Sequence, residues 1–210
     1  GFTPETLRNI IAETLARHGR IIYNGNNYSQ DWVREAKLRG LPVLASSVDA
    51  FECLREHGVQ ELLGRFGVYS PAECQSRHEI LLESYNKTVG IEASVLAEMV
   101  RRQILPALVE DLGRGAATAR DFSAAMGHQQ GYLENHLHRL SSCINSVSGQ
   151  LDALERVLEE APKAKGPLAA YHRDQVLPAM AALRESCDAA EAIADQKAWP
   201  VPTYTQLLYG

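Results

Sequence analysis

Few residues have the type and spacing to do chemistry. Glu134 and His138 lie four apart on a helical pattern, with His128 and His136 close by in sequence. A di-iron bundle needs Glu-x-x-His on two helices, so that carboxylate and imidazole project inward together. No such spacing occurs. Glu134 and His138 flank an apolar stripe, which is where a surface pair sits. The three histidines lack the i,i+4 arrangement of zincins, and there is no phosphate-binding glycine loop, dinucleotide fingerprint or nucleophile elbow. Cys53, Cys74, Cys143 and Cys187 form no C-x-x-C pair, which argues against a zinc ribbon or a disulfide framework and suits a reducing cytosol.

Three other groups of residues are candidates for a site. Glu92 falls at the centre of an apolar stripe, between Thr88, Val95 and Met99. A charge there is costly unless paired. It either reaches into a site or makes a buried ion pair or an oligomer contact, and the pair is the simpler reading. Arg77 and His78 sit at the edge of the same face, roughly 20 Å away at the helical rise, too far to form a compact triad with Glu92. Asn24, Asn26, Asn27 and Tyr28 belong to a polar stretch, Asn24-Gly25-Asn26-Asn27-Tyr28-Ser29, that reads as a binding loop or as a turn ending in a helix cap.

The elements that must position these residues are helices. Thr3-Pro4 opens a helix with Leu7, Ile10, Ile11 and Leu15 at helical spacing. Ser29 caps a helix over 30–39 that Gly40 stops, and short helices near 48–57 and 59–66 end at Gly58 and Gly67. Ser70-Pro71-Ala72-Glu73 is a capping box with proline at the first helical position, starting a pattern that runs to about Leu112. A break is expected at Gly113-Arg114-Gly115, with a second long helix from near Thr118. Its heptad positions are Gln130, Leu137, Ile144, Leu151 and Leu158, and Met126, Leu133, Leu140, Val147 and Leu154. Small, weakly polar flanks (Ser141, Cys143, Ser148, Gln150, Val157) favour a bundle over an isolated zipper. Residues 162–167 read as a loop, and a third long helix covers 168–195. Trp199 to Thr203 reads as extended, and a last turn over 205–209 offers Leu207 and Leu208 for docking. Pro106 and Pro178 stand in matching contexts, Gln-Ile-Leu-Pro-Ala and Gln-Val-Leu-Pro-Ala, and each should bend its helix.

The spacing therefore predicts an all-α fold, with short N-terminal helices over 1–69 and an antiparallel bundle of long, partly proline-kinked helices over 70–210. A composition of 45% hydrophobic and 22% charged residues is that of a globular chain. A net charge of −5 and a pI near 5.8 exclude wholesale binding to nucleic acid or an anionic membrane. No apolar run reaches the roughly 20 residues that cross a bilayer. The chain opens Gly1-Phe2 at a helix start, and reads as a piece of something longer.

Several segments, in order along the chain, carry a family resemblance. They are Arg20 to Ser29 with Trp32, then Arg39-Gly40-Leu41-Pro42, then Ser76-Arg77-His78-Glu79-Ile80 continuing through Glu83, Tyr85, Lys87 and Ile91-Glu92-Ala93. Ile104-Leu105-Pro106-Ala107 and Trp199-Pro200-Val201-Pro202-Thr203-Tyr204 complete the set, while 113–165 matches only in helical character. The chain resembles the C-terminal portion of type III glutamine synthetases, the large bacterial class. The resemblance implies a cytoplasmic, homo-oligomeric enzyme that joins ammonia to glutamate through a γ-glutamyl phosphate, using ATP and Mg or Mn. It also implies that the metal-binding and phosphate-contacting residues lie upstream, so no catalytic, cofactor or metal residue is carried onto this chain. The segment would pack against the rest of its own polypeptide and support ring assembly. The alternative is a free-standing helical interaction module without enzymatic activity.

Overall fold

The computed structural model describes residues 3–128, 131–161, 167–202 and 204–209. Every regular element among them is helical, as the spacing predicts. The chain packs as two compact bodies, Gly1–Ala50 and Phe51–Gly210.

In the first body, α1 (Pro4–His18) is capped by the Thr3 hydroxyl, which accepts from the Thr6 amide at 3.2 Å. A 3-10 turn, Gly19–Ile21, leads to α2 (Gln30–Leu38). That helix ends in a Schellman motif. Gly40 adopts a φ of +67°, its amide donates to Lys37 at 3.0 Å, and the Leu41 amide donates to Ala36 at 2.9 Å. α3 (Ser47–Glu52) spans the boundary between the bodies.

The second body begins with a 3-10 turn, Cys53–Arg55, and α4 (His57–Arg65). The turn, rather than Gly58, ends the preceding helix, and Gly58 lies inside the first turn of α4. The Gln60 side-chain carboxamide closes this corner, donating from Nε2 to the Leu54 carbonyl at 2.9 Å. Gly67 then stops α4 as expected, with a φ of +65°. The capping box forms as predicted: Ser70 Oγ accepts from the Glu73 amide, and the Glu73 carboxylate accepts from the Ser70 amide at 2.7 Å. From it runs α5 (Pro71–Met99), continued by a π-turn (Val100–Ile104) into α6 (Leu105–Met126). α7 (Gly131–Glu160) returns antiparallel to this arm, with Arg101 paired to Glu155. α8 (Leu168–Tyr171), a second π-turn (His172–Val176) and α9 (Leu177–Glu191) form the other arm. It runs antiparallel to α7: the Tyr171 hydroxyl donates to the Val157 carbonyl at 3.1 Å, and Ser146 meets Ser186 at 3.1 Å.

The heptad seam of α7 packs as the spacing predicts from Leu140 onward, whereas Met126, assigned to its start, ends α6 instead and is 59% exposed. Leu140, Val147, Leu151 and Leu154 are buried, Ile144 and Leu158 pack against them, and all five predicted flanks are half-buried. Opposite them lie Val89, Ala93, Ala97, Val100, Ile104 and Leu108 from one arm and Val176, Leu183, Cys187 and Ala190 from the other. Trp199 and Val201 close one edge of this core, whereas α10 (Tyr204–Tyr209) leaves Leu207 and Leu208 exposed rather than docked.

Two further expectations change. The helix does not break at Gly113-Arg114-Gly115; α6 runs through it to Gly127, whose φ of +72° makes the turn. Two glycines in a helix cost propensity but leave the hydrogen-bond ladder intact, and the packing of Leu108 and Leu112 on one side offsets them. The two prolines bring a π-turn before each new helical segment. The Leu105 amide donates to Val100 and the Leu177 amide to His172, five residues back, with helical backbone angles at both ends of each turn. Proline has no amide and its ring crowds the carbonyl four residues earlier, and the wider turn relieves that crowding. Gln130, residues 162–166 and Thr203, assigned above to the seam, the loop and the tail, lie outside the described residues.

Because the corner is at Gly127, Gly127→Ala should cost about 1 kcal/mol through left-handed strain. Gly113→Ala, in open space within a helix, should stabilise by about 0.4–1 kcal/mol. Urea denaturation of both variants checks this, and the opposite ordering would put the break back at Gly113.

Candidate functional site

The polar stretch after α1 is a stiff turn. The Asn26 carboxamide oxygen accepts from the Tyr28 amide at 3.0 Å, and the Asn26 carbonyl accepts from the Ser29 hydroxyl at 2.7 Å. Ser29 in turn caps α2 by accepting from the Trp32 amide at 3.4 Å. Behind the turn, the Tyr23 ring stacks on Trp32 with centroids 4.4 Å apart. The Arg39 guanidinium lies 5.8 Å from both rings and donates to the Ile22 carbonyl at 2.7 Å and to Glu35 at 2.8 Å. Gly25 is required here, since a Cβ would come within 2.5 Å of the Tyr23 ring. The result presents Asn24, Asn27 and a fully exposed Tyr28 on a braced loop. These groups can donate, accept and make apolar contact, which is the equipment of a contact loop. Sequence reasoning missed the brace. Its signal was the i, i+3, i+7 spacing of Trp32, Glu35 and Arg39 on one face of α2.

Arg77 and His78, adjacent in sequence, serve different faces of α5. His78 is buried, with Nε2 3.0 Å from a carboxylate oxygen of Glu52, a contact within the second body. Arg77 is exposed and lies 4.4 Å over the Tyr69 ring, in an open cleft of about 330 Å³ that Ile80 and Leu81 also line. Glu92 is not in the core. The buried face of α5 is Cys74, His78, Val89, Ala93 and Ala97, so Glu92 is exposed while Val95, expected inside, is 48% exposed. Small Ala93 and Ala97 let helices approach closely, and weighting the stripe toward large aliphatics set it one residue, about 100°, off. Glu92 therefore makes no buried ion pair in the core of this body, and the structure does not bring it to Arg77 and His78.

Two further buried polar groups, Asp111 and His172, were not singled out from the sequence. Asp111, on the buried side of α6, accepts from the Asp195 amide at 2.9 Å and from Arg114 at 3.3 Å, fastening the end of the α9 arm to α6. His172 opens the second π-turn, is 5% exposed, and its Nδ1 has no partner among the described residues. Burial pushes the Cys187 thiol up to about 11, which leaves it inert as a nucleophile. Among the described residues no three His, Cys, Asp or Glu side chains gather where a metal could bind. The residues present do not fit the metal that the resemblance implies.

The acid response draws on His172 and on several carboxyls held below their ordinary values by hydrogen bonds, among them Glu52 and the capping-box Glu73. Burial holds the His172 imidazole below its ordinary value, so the unfolded chain binds that proton first. The stability it contributes is full above about pH 6.5 and falls as the pH drops through the lowered folded value. The hydrogen bond from His78, with the nearby charge of His78 and Arg55, lowers the Glu52 carboxyl. Its contribution is full above about pH 4.3 and fades below it, and stays under about 1 kcal/mol because Glu52 is half-exposed. Melting temperature against pH should therefore fall in two stages. His172→Gln should remove the upper stage alone, and Glu52→Gln should shrink the lower stage without abolishing it, because Glu73, Glu83 and Asp174 are lowered as well; a single stage in the unmodified chain would contradict the His172 assignment.

Comparison with known proteins places this arrangement. The family pattern described as the glutamine synthetase C-terminal domain matches residues 6–120, more than half of the chain. A type-3 glutamine synthetase of Dictyostelium discoideum is 33% identical over 207 residues, covering 95% of this chain and 28% of its own length. A glutamine synthetase of Butyrivibrio fibrisolvens is 33% identical, covering 98% of this chain and 30% of its own. One of Bacteroides fragilis is 25% identical over 98% of this chain. The Dictyostelium relative takes the likeness beyond bacteria. The chain thus spans under a third of the length of these relatives, and the match takes in the braced loop, His78 and the first π-turn alike. The chain belongs to the glutamine synthetase C-terminal domain family.

Proposed function

We propose that the chain serves a glutamine synthetase as a segment for packing and assembly, and that the ATP-dependent ligation of ammonia to glutamate takes place on another part of that polypeptide. The observation that carries the reading is the family match over 6–120, together with 33% identity along nearly the whole chain. Since the described residues do not gather a metal-ligand set, the reading assigns ATP and Mg or Mn to the rest of the enzyme. Its partners are that remaining polypeptide and further copies of it in a homo-oligomer. Nucleic acid and membrane are not among them, which the net charge of −5 supports. Among the described residues no helix is long and apolar enough to cross a membrane. A cytoplasmic setting agrees with the absence of disulfides among the four cysteines.

The 210-residue chain should show no ATP-dependent glutamine formation, whereas a synthetase polypeptide containing it should; turnover by the chain alone overturns the division of labour. Tyr28 should matter only in the larger protein. Tyr28→Ala should cost the synthetase more than about 1 kcal/mol and the 210-residue chain less than about 0.5 kcal/mol, measured by chemical denaturation of each.

A further inference from the structure

α1 is well made as a helix and buries nothing. Thr3 caps it, Pro4 opens it and Arg17 and His18 sit at its last turn. Leu7, Ile11 and Leu15 fall four apart with Ile10 beside them, forming one aliphatic face, and each is 45–52% exposed. Surface aliphatics scattered singly need no explanation, but a continuous stripe marks a contact.

The rest of the first body shares the deficit. Ile21, Ile22, Leu38 and Leu44 are exposed as well, and among its described residues only Ala36 and Val48 are buried. A body of this length rarely builds a sufficient core of its own. The second body is different, because α5 to α9 enclose a continuous core from Val89 to Ala190. The exposed aliphatics of 1–50 are spread along the whole segment. Pairing of α1 with α1 of a second copy would leave Ile21, Ile22, Leu38 and Leu44 in water. An extended surface is needed, and the relatives have one: about 70% of their length lies outside the part this chain spans. The family match begins at residue 6, so it takes in all four side chains of the stripe. Covalent connection would supply the high effective concentration that holds so small a body in place.

We infer that α1 docks through Leu7, Ile10, Ile11 and Leu15 onto the preceding part of a glutamine synthetase polypeptide. Residues 1–50 then complete that body, while 51–210 fold around their own core. The inference rests on the function proposed above and adds to it the surface that makes the contact.

Hydrogen exchange read by mass spectrometry tests it, on the synthetase polypeptide and on the 210-residue chain. Amides of α1 should exchange at least about tenfold more slowly in the synthetase, and those of α7 equally in both. Ile11→Asp in the synthetase should return α1 to fast exchange and leave α7 untouched. Equal α1 exchange in the two proteins overturns the inference. So does α1 protection in the 210-residue chain that rises with concentration, which would mean a second copy covers the face. A synthetase polypeptide that makes no glutamine defeats the functional reading whatever α1 does, whereas an active one with freely exchanging α1 defeats only the docking.

Discussion

The second body depends on one helix being covered on several sides. α7 presents a seam of Leu140, Val147, Leu151 and Leu154 with no exposed surface to spare, and even its flanking Ser141, Cys143 and Ser148 are half-buried. A helix with a buried seam and half-buried flanks needs partners on more than one side. Both arms, α5–α6 and α8–α9, take their places from it. Small residues facing it, Ala93, Ala97 and Ala190, set how closely the helices approach. The Asp111 contact to the Asp195 amide fastens the arms where they lie beyond the seam. Buried polar groups of this kind fix position more than they add stability.

Much of this was readable in advance. The capping box at Ser70 and Glu73, the Ser29 cap, the Gly40 and Gly67 stops and the seam of α7 all rest on local chemistry, and all formed. Elements that depend on neighbours distant in sequence were read less well. The buried face of α5 is chosen by what α7 and α9 allow, and alanines win there over Val95 and Leu81, so Glu92 turns outward. Gly113 and Gly115 look like a corner in isolation, yet packing of Leu108 and Leu112 carries α6 through them.

The candidate site divides the same way. A turn at Asn24 to Ser29 follows from residue type, and its hydrogen bonds are all within six residues. The Tyr23–Trp32–Arg39 brace joins residues up to 17 apart through the Arg39 bond to the Ile22 carbonyl, and single-residue tendencies do not report such a closure. His172 gave no sequence signal because an isolated histidine on an apolar helix face looks like ordinary core filling. The family resemblance carried more functional information than any motif, since the chain has no set of reactive groups to recognise.

The paired π-turns have a consequence for how this sequence can change length. Each fits one more residue into its turn than an α-helix would, so everything after it is rotated by about 100° relative to an uninterrupted helix. The first arm is phased for that offset: Leu108 and Asp111, beyond Val100–Ile104, face inward only because the extra residue is there. Losing one residue from that turn would restore regular hydrogen bonding locally, yet swing Asp111 off the Asp195 amide and carry Leu108 away from the core. The turn therefore acts as a spacer counted in degrees, and insertions or deletions are tolerable on either side of it only in whole helical turns.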